Sequence, residues 1–475
     1  MTLLSRLART GLQASFAPVA ALGFALGSTF VAASAALPRP LAAQAIPRIA
    51  VTKYTLPNGL EVILHEDHTT PIVAVDTWFH VGSGDEKLGR TGFAHLFEHL
   101  MFMGSQHVPT GQFDQLLESA GGNNNGSTTE DRTNYYETVP SNALALALYL
   151  DSDRMGYLLP ALDSAKLDLQ RDVVKNERRQ RVDNVPYGKA FETILAALYP
   201  KGHPYSWPVI GSMADLSAAT LEDVKNFFRT YYAPNNATLV LSGDFNPDSA
   251  RALIQHYFAD IPRGPALPPR PTPAAVTLPR DTFVVLEDKV QLPRVYYTWP
   301  TVKAYTKDDA PLSVLGSVLA DGKNSRLYKT LVYDLQLAQD VNAYQYGQRL
   351  AGIFQVVVTP RPGVAPSKID SIVRAEIAKV QRDGITPREL ARVQNSTRAS
   401  YLAQLASDAQ TADLLDQYNY FVGTPDYVQQ DVARYDAVTR ADVQRVARQY
   451  LAKPKVVLTV VPEGKKDMMV TGGAK

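Results

Sequence analysis

The chain has 475 residues, enough for two or more domains when a typical domain has about 100–200. Its 45% hydrophobic content is typical of a globular protein, and a net charge of +1 argues against a broad surface for nucleic acid or anionic membranes. Cysteine is absent, which excludes disulfides and thiolate metal ligands, so any metal would have to be bound by histidines and carboxylates.

Residues 1–45 are predicted to be a signal peptide for export. Two arginines precede an apolar, alanine-rich run over about residues 16–36, and small-residue cleavage sites end at Ala35 and Ala45. We favour cleavage after Ala45, which predicts a periplasmic or secreted protein. The alternative is an uncleaved membrane anchor, because the run approaches spanning length. Its many Gly, Ala and Ser residues make it a weak anchor, so stable membrane insertion of the mature chain is not expected.

The first half of the mature chain is predicted to combine strands and helices. Residues 59–67 and 71–79 have the alternating or β-branched character of two strands. A loop then leads to an apolar helix over residues 92–102. A buried strand over residues 237–245 and a helix over residues 248–258 close this half.

The helix over residues 92–102 contains the most specific pattern in the chain. His95, Glu98 and His99 are at i, i+3 and i+4, so they share one face of the helix. Two imidazoles one turn apart can bind one metal ion, and Glu98 can reach a water bound to that ion. This H-x-x-E-H pattern reverses the zinc-protease motif H-E-x-x-H. The alternative is three ordinary core residues, but burying them unpaired would cost several kcal/mol.

A proline-rich segment separates the first half from the second. Residues 262–279 contain seven prolines, which predicts a stiff, extended linker over residues 262–280. The mature chain is therefore predicted to have an N-terminal domain over residues 46–261 and a C-terminal domain over residues 281–475.

The second half is predicted to repeat the architecture of the first. Strands over residues 283–288 and 293–299 precede a helix over residues 310–320, although two such units could align by chance. Aligning Trp78 with Trp299 places residues that cannot bind a metal opposite the H-x-x-E-H positions: Gly316, Leu319 and Ala320. The predicted fold class is α+β, with two homologous domains that are each a mainly antiparallel sheet packed with helices.

Several motifs in a fixed order point to a known family. They lie at residues 56–60, 81–84, 95–99, 121–135, 173–177, 203–205 and 232–238. With these motifs, residues 54–464 resemble the insulinase/pitrilysin-type zinc metallopeptidases, a family that includes mitochondrial processing peptidase and bacterial relatives. The resemblance implies that the two domains form one half of a clam-shell chamber.

The resemblance also implies roles for individual residues. His95 and His99 would be zinc ligands, Glu98 would be the general base, and Glu177 would be the third ligand, for one zinc ion per chain. The residues alone do not distinguish Glu177 from other acids of the first half. The family often has a second Glu that supports the metal helix, and Gln170 stands at that position here.

The same resemblance implies a substrate-binding edge strand over residues 121–135. Its backbone would pair with an extended peptide by strand addition, with Asn125, Gly126 and Thr128 next to the substrate. Read without the family, this Gly- and Asn-rich stretch is typical of a loop.

A homologous partner subunit is a further expectation from the resemblance. In self-sufficient members of the family, the second domain supplies an Arg and a Tyr, seven residues apart, that bind substrate and stabilise the transition state. The corresponding residues here are Val332 and Gln339. A heterodimer is therefore expected, in which the partner lacks H-x-x-E-H and supplies the Arg and the Tyr.

The predicted function is that of an exported zinc metalloendopeptidase subunit that hydrolyses peptides or unfolded segments. One alternative is a non-catalytic structural or assembly subunit, which would have no need to keep all three ligands and the base. Another is a periplasmic metal-binding protein, which would not require Glu98.

Overall fold

The computed structural model describes residues 46–472. The predicted signal peptide and its cleavage site after Ala45 lie outside the described residues. Within residues 46–472, no helix is both long enough and apolar enough to cross a membrane.

The first sheet has six strands in the order β1-β2-β6-β3-β5-β4. Every neighbouring pair is antiparallel except β2 and β6, which are parallel. The strands are β1 (Thr52–Thr55), β2 (Glu61–Glu66), β3 (Ile72–Phe79), β4 (Asn123–Thr128), β5 (Thr133–Pro140) and β6 (Ala237–Gly243). The strand expected at the substrate edge, β4, is the last strand of this sheet.

The second sheet has five strands in the order β7-β11-β8-β10-β9. Its one parallel pair is β7 and β11. The strands are β7 (Thr282–Asp288), β8 (Arg294–Thr301), β9 (Ala338–Gly347), β10 (Gly352–Pro360) and β11 (Val456–Pro462). This order repeats that of the first sheet without β1, so the predicted repeat of architecture is confirmed.

Fourteen helices of the described chain pack against these sheets. Those before the second sheet are α1 (Phe93–Leu100), α2 (Gln112–Ser119), α3 (Leu144–Ala161), α4 (Ser164–Arg178), α5 (Ala190–Leu198), α6 (Met213–Ala218), α7 (Leu221–Tyr231) and α8 (Pro247–Phe258). Those in the second half are α9 (Asp309–Ala320), α10 (Pro366–Asp383), α11 (Pro387–Leu405), α12 (Asp408–Val422), α13 (Val428–Asp436) and α14 (Arg440–Tyr450).

Each sheet buries one face in an apolar core of its own half. Val73 and Phe79 on β3 point into the first core, which includes residues of α1, α3, α7 and α8. The second core joins β8 and β10 with α9, α10 and α14. The predicted α+β fold class is confirmed. Between Phe258 and Thr282, which include the proline-rich segment, no helix or strand forms.

The opposite face of each sheet is covered by a helix from the other half. Helix α12 packs on the first sheet, where Leu415 contacts the cluster that contains Ile63 and Val240. Helix α5 packs on the second sheet, where Ile194 joins a cluster with Leu458. Both sheets are therefore covered on both faces, and each half supplies a helix that covers the sheet of the other half.

Trp78 and Trp299 lie on opposite faces of their sheets, so the alignment of the two halves on these residues is wrong by one position. Trp78 is on the face covered by α12, with its ring centroid 6.2 Å from that of Tyr420. Trp299 lies in the second core. Because side chains alternate along a strand, a shift of one residue changes the face. Phe79, in the first core, is the better counterpart of Trp299. In any register α9 contains no histidine.

Candidate metal centre

Helix α1 is short, and hydrogen bonds from other elements position it. The buried carboxyl group of Glu86 accepts hydrogen bonds from Gly92 N (2.9 Å) and Ala94 N (2.8 Å), which are N–H groups that a helix leaves unpaired at its N-terminus. Further along, the Tyr135 hydroxyl donates to Phe97 O (3.1 Å). These contacts hold both turns of the helix and so determine where its polar face lies.

Gly92 precedes α1 at a position where a side chain would not fit. Its φ is 89°, in the left-handed region that favours glycine. A Cβ there would lie 2.8 Å from Ile210 O. The loop around residue 210 therefore packs directly on the start of the helix.

Helix α4 brings a carboxylate to the polar face of α1. It is capped by Asp163 and anchored in the first core by Val174. Glu177 lies near its C-terminal end. The Oε2 atom of Glu177 is 3.5 Å from His95 Nε2 and 3.1 Å from His99 Nε2.

The geometry of these three side chains fits a zinc ion. Their candidate ligand atoms lie within 4.8 Å of one another, and no other such group of three occurs in residues 46–472. Nitrogen and oxygen ligands lie about 2.0–2.1 Å from tetrahedral zinc, which puts neighbouring ligand atoms about 3.3 Å apart. The two distances from Glu177 Oε2 lie on either side of that value. This oxygen is also buried without a hydrogen-bond partner in the described chain.

The charge states of the ligands also suit a metal. Burial, together with the neighbouring His99, lowers the pKa of His95 to about 4, so its ring is neutral at pH 7 and has a lone pair for a metal. The close contact with His99 Nε2 lowers the pKa of Glu177, with further contributions from His95 and Arg181 and against the opposing effect of burial. Glu177 is therefore anionic at neutral pH.

Glu98 contacts the edge strand. Its Oε2 accepts a hydrogen bond from the Thr128 hydroxyl at 2.6 Å. Burial raises the pKa of Glu98, while the hydrogen bond from Thr128 lowers it. The contact depends on a close approach of β4 to α1, because a Cβ on Gly126 would lie 3.1 Å from Glu98 Cγ. Thr128, predicted to touch substrate, thus holds the candidate base.

A cleft of about 670 Å³ opens next to these residues. The cleft is formed by α1, β4, α4 and the turn after α4, and its lining comprises Glu98, His99, Phe102, Asn125, Gly126, Val173, Asn176, Glu177, Gln180 and Arg181. Asn125 and Gly126 therefore lie where a substrate next to the metal centre would lie. Their contact with a peptide stays a prediction.

Gln170 lies one layer away from the candidate ligands. It is buried, and its Nε2 is 2.7 Å from Met103 Sδ in the turn that follows α1. Its expected support of the metal helix stays a prediction, because this contact is with the turn and not with a ligand.

Three residues that shape the site were not predicted from the sequence. Arg181 follows Glu177 by one helical turn, and its Nη1 is 2.6 Å from Glu177 Oε1. The i, i+4 Glu–Arg spacing was the available signal for this pair. Glu86 and Tyr135 position α1 from other elements, and no periodicity in the sequence connects them with that helix.

Comparisons with known proteins identify the family. Residues 61–210 match the family described as insulinase (peptidase family M16), and residues 218–397 match the peptidase M16 inactive domain. The zinc protease PqqE of Helicobacter pylori is 30% identical over 403 residues, which cover 83% of this chain and 89% of that protein. The chain belongs to the insulinase family of peptidases.

A solved structure and a further relative also match most of the chain. The crystal structure of a protease from Helicobacter pylori superposes with a TM-score of 0.81 at 27% identity, covering 88% of this chain and 100% of that one. The probable mitochondrial-processing peptidase subunit beta of Arabidopsis thaliana is 22% identical over 87% of this chain and 78% of its own. The family resemblance inferred from the motifs is confirmed.

Proposed function

We propose that this member of the insulinase family is a zinc-dependent endopeptidase. The observation that carries the proposal is the convergence of His95, His99 and Glu177 next to Glu98 in an open cleft. The three ligands leave a position for water, as in catalytic zinc sites. The names of relatives such as zinc protease PqqE support the same metal and reaction class.

In the proposed reaction, zinc would be held by His95, His99 and Glu177, and would acidify a water and polarise the scissile carbonyl. The chain's own residues supply the remaining steps. Glu98 is oriented by Thr128 and accepts a proton from the attacking water. A pKa raised by burial suits this carboxyl to return the proton to the leaving amine.

The substrate is proposed to be a peptide or an unfolded segment. Within residues 46–472, strand β4 pairs with β5 and with no other strand, so its outer edge can accept an extended chain. Main-chain hydrogen bonds would then supply much of the affinity, with tolerance for many sequences.

Substitution of the base and of one ligand tests the proposed function. Glu98→Gln should keep zinc and lower kcat by about 10²–10⁴-fold, whereas His99→Ala should lose zinc. Glu222→Gln, at an exposed carboxylate on α7, is the matched control and should change neither. Metal content and peptide hydrolysis are measured on the same preparations. Full activity in Glu98→Gln would contradict the mechanism, whereas a zinc-loaded wild type that hydrolyses no peptide, even with a partner subunit, would favour an assembly role.

We also propose that activity requires a homologous subunit. Val332 packs against the second core and Gln339 is exposed on β9, and neither offers the guanidinium or phenol expected at these positions. A missing donor to the developing oxyanion is worth about 2.7–4 kcal/mol in other enzymes. The isolated chain should bind zinc yet cleave peptides weakly, and adding the partner should restore turnover. Robust turnover by the isolated chain would contradict this.

Export is proposed on the sequence of residues 1–45. Signal cleavage after Ala45 would leave a mature chain that starts at Ile46 and contains the two domains over residues 46–261 and 281–475, joined by the linker over 262–280. N-terminal sequencing of periplasmic protein tests the site. A start at Ala36 would favour the earlier site, and an intact Met1 in membranes would favour the anchor.

A further inference from the structure

Arg181 lies at the mouth of the catalytic cleft on a single π-helical turn that extends α4 over Arg179–Asp183. Its Nη1 contacts Glu177 Oε1 at 2.6 Å, but 77% of its side chain is exposed. Glu177 itself is only 14% exposed. The arginine is therefore held at the cleft by one contact, and most of its surface faces solvent.

The guanidinium keeps donors for a second partner. Arginine carries five N–H donors in a planar fork that matches a carboxylate, and the pair with Glu177 engages one of its terminal nitrogens. Exposed ion pairs contribute little to stability, so the side chain can turn toward a ligand at small cost. Arg181 is also the only arginine or lysine among the residues that line the cleft in the described chain.

The two neighbouring arginines differ from Arg181 in their surroundings. Arg178 is largely buried and is bound to Glu192 and to Gly211 O. Arg179 donates to Asn176 and does not line the cleft. Of the three arginines at positions 178, 179 and 181, only Arg181 lines the cleft where a substrate would lie.

We propose that Arg181 is a specificity-determining residue that favours substrates with a carboxylate within about three residues of the scissile bond, the reach of a long side chain from its helix. This rests on the peptidase function proposed above. The carboxylate would form a charge-assisted, bidentate pair with the guanidinium. Its source is an Asp or Glu side chain or, for a short substrate, the C-terminus of the peptide.

The test uses one parent peptide in matched versions. Glu, Gln or Lys is placed in turn at each of three positions on either side of the cleaved bond, and each peptide is made with a free or an amidated C-terminus. The zinc-loaded full chain is used, together with its partner subunit if turnover requires one. Wild type should favour Glu over Lys by about 10- to 100-fold in kcat/KM at one or more positions. A preference for the free C-terminus alone would identify the terminal carboxylate as the source.

Three variants assign the preference to Arg181. Arg181→Ala should remove it, Arg181→Glu should reverse it toward Lys, and Arg179→Ala should leave it unchanged. Zinc content is measured for each, because a residue that only orients Glu177 would change metal affinity without changing the Glu-to-Lys ratio. Equal ratios in wild type and Arg181→Glu would overturn the proposal.

A peptide-binding experiment tests the role of Arg181 independently of whether the protein hydrolyses peptides. The same peptides are titrated into Glu98→Gln by fluorescence anisotropy, with and without Arg181→Glu in addition. A Glu preference in binding that Arg181→Glu reverses would support the role of Arg181 even if wild type cleaves none of the peptides. Binding without a Glu preference, or no binding, would overturn the role of Arg181.

Discussion

The candidate metal centre and the corresponding region of the second half are built from matching elements that carry different side chains. In the first half, α1, α4 and β4 line the cleft. In the second half, α9, α11 and β9 line a cavity of about 490 Å³ together with α12 and α13. Glu177 is 14 residues after the cap of α4 (177 − 163), and Ser400 is 14 residues after the cap of α11 (400 − 386). Ser400 lines the second cavity.

The helix of each half contributes a pair of side chains one turn apart. His95 and His99 lie on α1, whereas Ser313 and Ser317 on α9 line the second cavity. Each helix also approaches its edge strand closely, through Gly126 of β4 in one half and Gly316 of α9 in the other. Matching elements therefore line a cavity in each half, and within the described residues only the cavity of the first half has a group of side chains that could bind a metal.

The largest effect is expected when Glu177 of the candidate metal centre is replaced by serine, the residue found at the corresponding position, Ser400, of the second half. Glu177→Ser should lower zinc affinity by more than about 100-fold, beyond the effect typical of changing an outer partner of a ligand. Activity should fall with the metal. Ser400→Ala, the matched change in the second cavity, should leave zinc content and kcat/KM unchanged. Zinc is measured after dialysis against a chelator, and retention of zinc by Glu177→Ser would contradict the assigned ligand.

The next largest effect concerns a buried arginine in the first core. Arg154 of α3 pairs with Glu137 (2.6 Å) and Asp151 in the first core. Arg154→Met would leave two buried carboxylates unpaired and should lower the free energy of unfolding by about 3–5 kcal/mol. Arg382→Met, at an exposed pair on α10, should have no measurable effect. Urea unfolding measures both, and equal losses would show that burial does not distinguish them.

A third prediction uses the opposite pH responses of the two helix N-termini. At α1, burial raises the pKa of Glu86 to about 8 from its ordinary 4.5, although Ala94 N and Gly92 N donate to it. At α9, hydrogen bonds from Arg445 and Tyr450 outweigh burial and lower the pKa of Asp308. Stability from protonated Glu86 is present below pH 4.5 and lost as the pH rises through about 8. Stability from Asp308 is instead lost as the pH falls below its ordinary 3.8.

Glu86→Gln should therefore remove a downward slope of about 1.4 kcal/mol per pH unit from the free energy of unfolding in that range. Asp308→Asn should change the free energy of unfolding equally at every pH between 4.5 and 8. Denaturant unfolding at several pH values distinguishes the two. A slope that Glu86→Gln leaves unchanged would mean that Glu86 is ionised throughout.

The smallest effect is expected at a feature that the two halves share, the capping box at the start of a helix. Helices α7 and α14 both begin with a capping box, formed by Thr220 with Asp223 and by Thr439 with Asp442. Thr220→Ala and Thr439→Ala should each cost about 1 kcal/mol. Thermal unfolding measures them, with the Ser variant at each position as the control that keeps the hydroxyl. A large difference between the two would mean that the halves unfold separately.

The sequence predicted much of the framework, because alternation and apolar runs are local signals. The strands at β2, β3, β6, β7 and β8 and the helix at α9 lie where these patterns indicated, with ends that differ by one or two residues. Strand β4 is different. Its polar Asn-Asn-Asn-Gly sequence is typical of a loop, and pairing with β5 makes it a strand. The family resemblance predicted an edge strand here, but its range of 121–135 was too long, because the chain turns after Thr128 and Tyr135 lies on the neighbouring strand β5.

The parts of the site that join distant segments could not be read from local patterns. His95 and His99 share a helix face, so their spacing was sufficient. Glu177 is 78 residues after His99 (177 − 99), and its proximity depends on how α4 crosses α1. The register of Trp78 was missed for a related reason, since a strand pattern determines which residues alternate but not which face meets which helix.

The coverage of each sheet by a helix from the other half has a consequence for synthesis and folding. Val240 on the first sheet cannot bury its outer face until α12, which starts at Asp408, has left the ribosome. Such long-range contacts slow folding and leave apolar surface exposed in the meantime. An N-terminal half released early from the ribosome would expose apolar surface and would therefore be prone to aggregate. If the proline-rich segment were cut, separation of the two halves would expose one apolar face of each sheet to water. The half that contains the candidate metal centre therefore depends on the other half to cover its sheet.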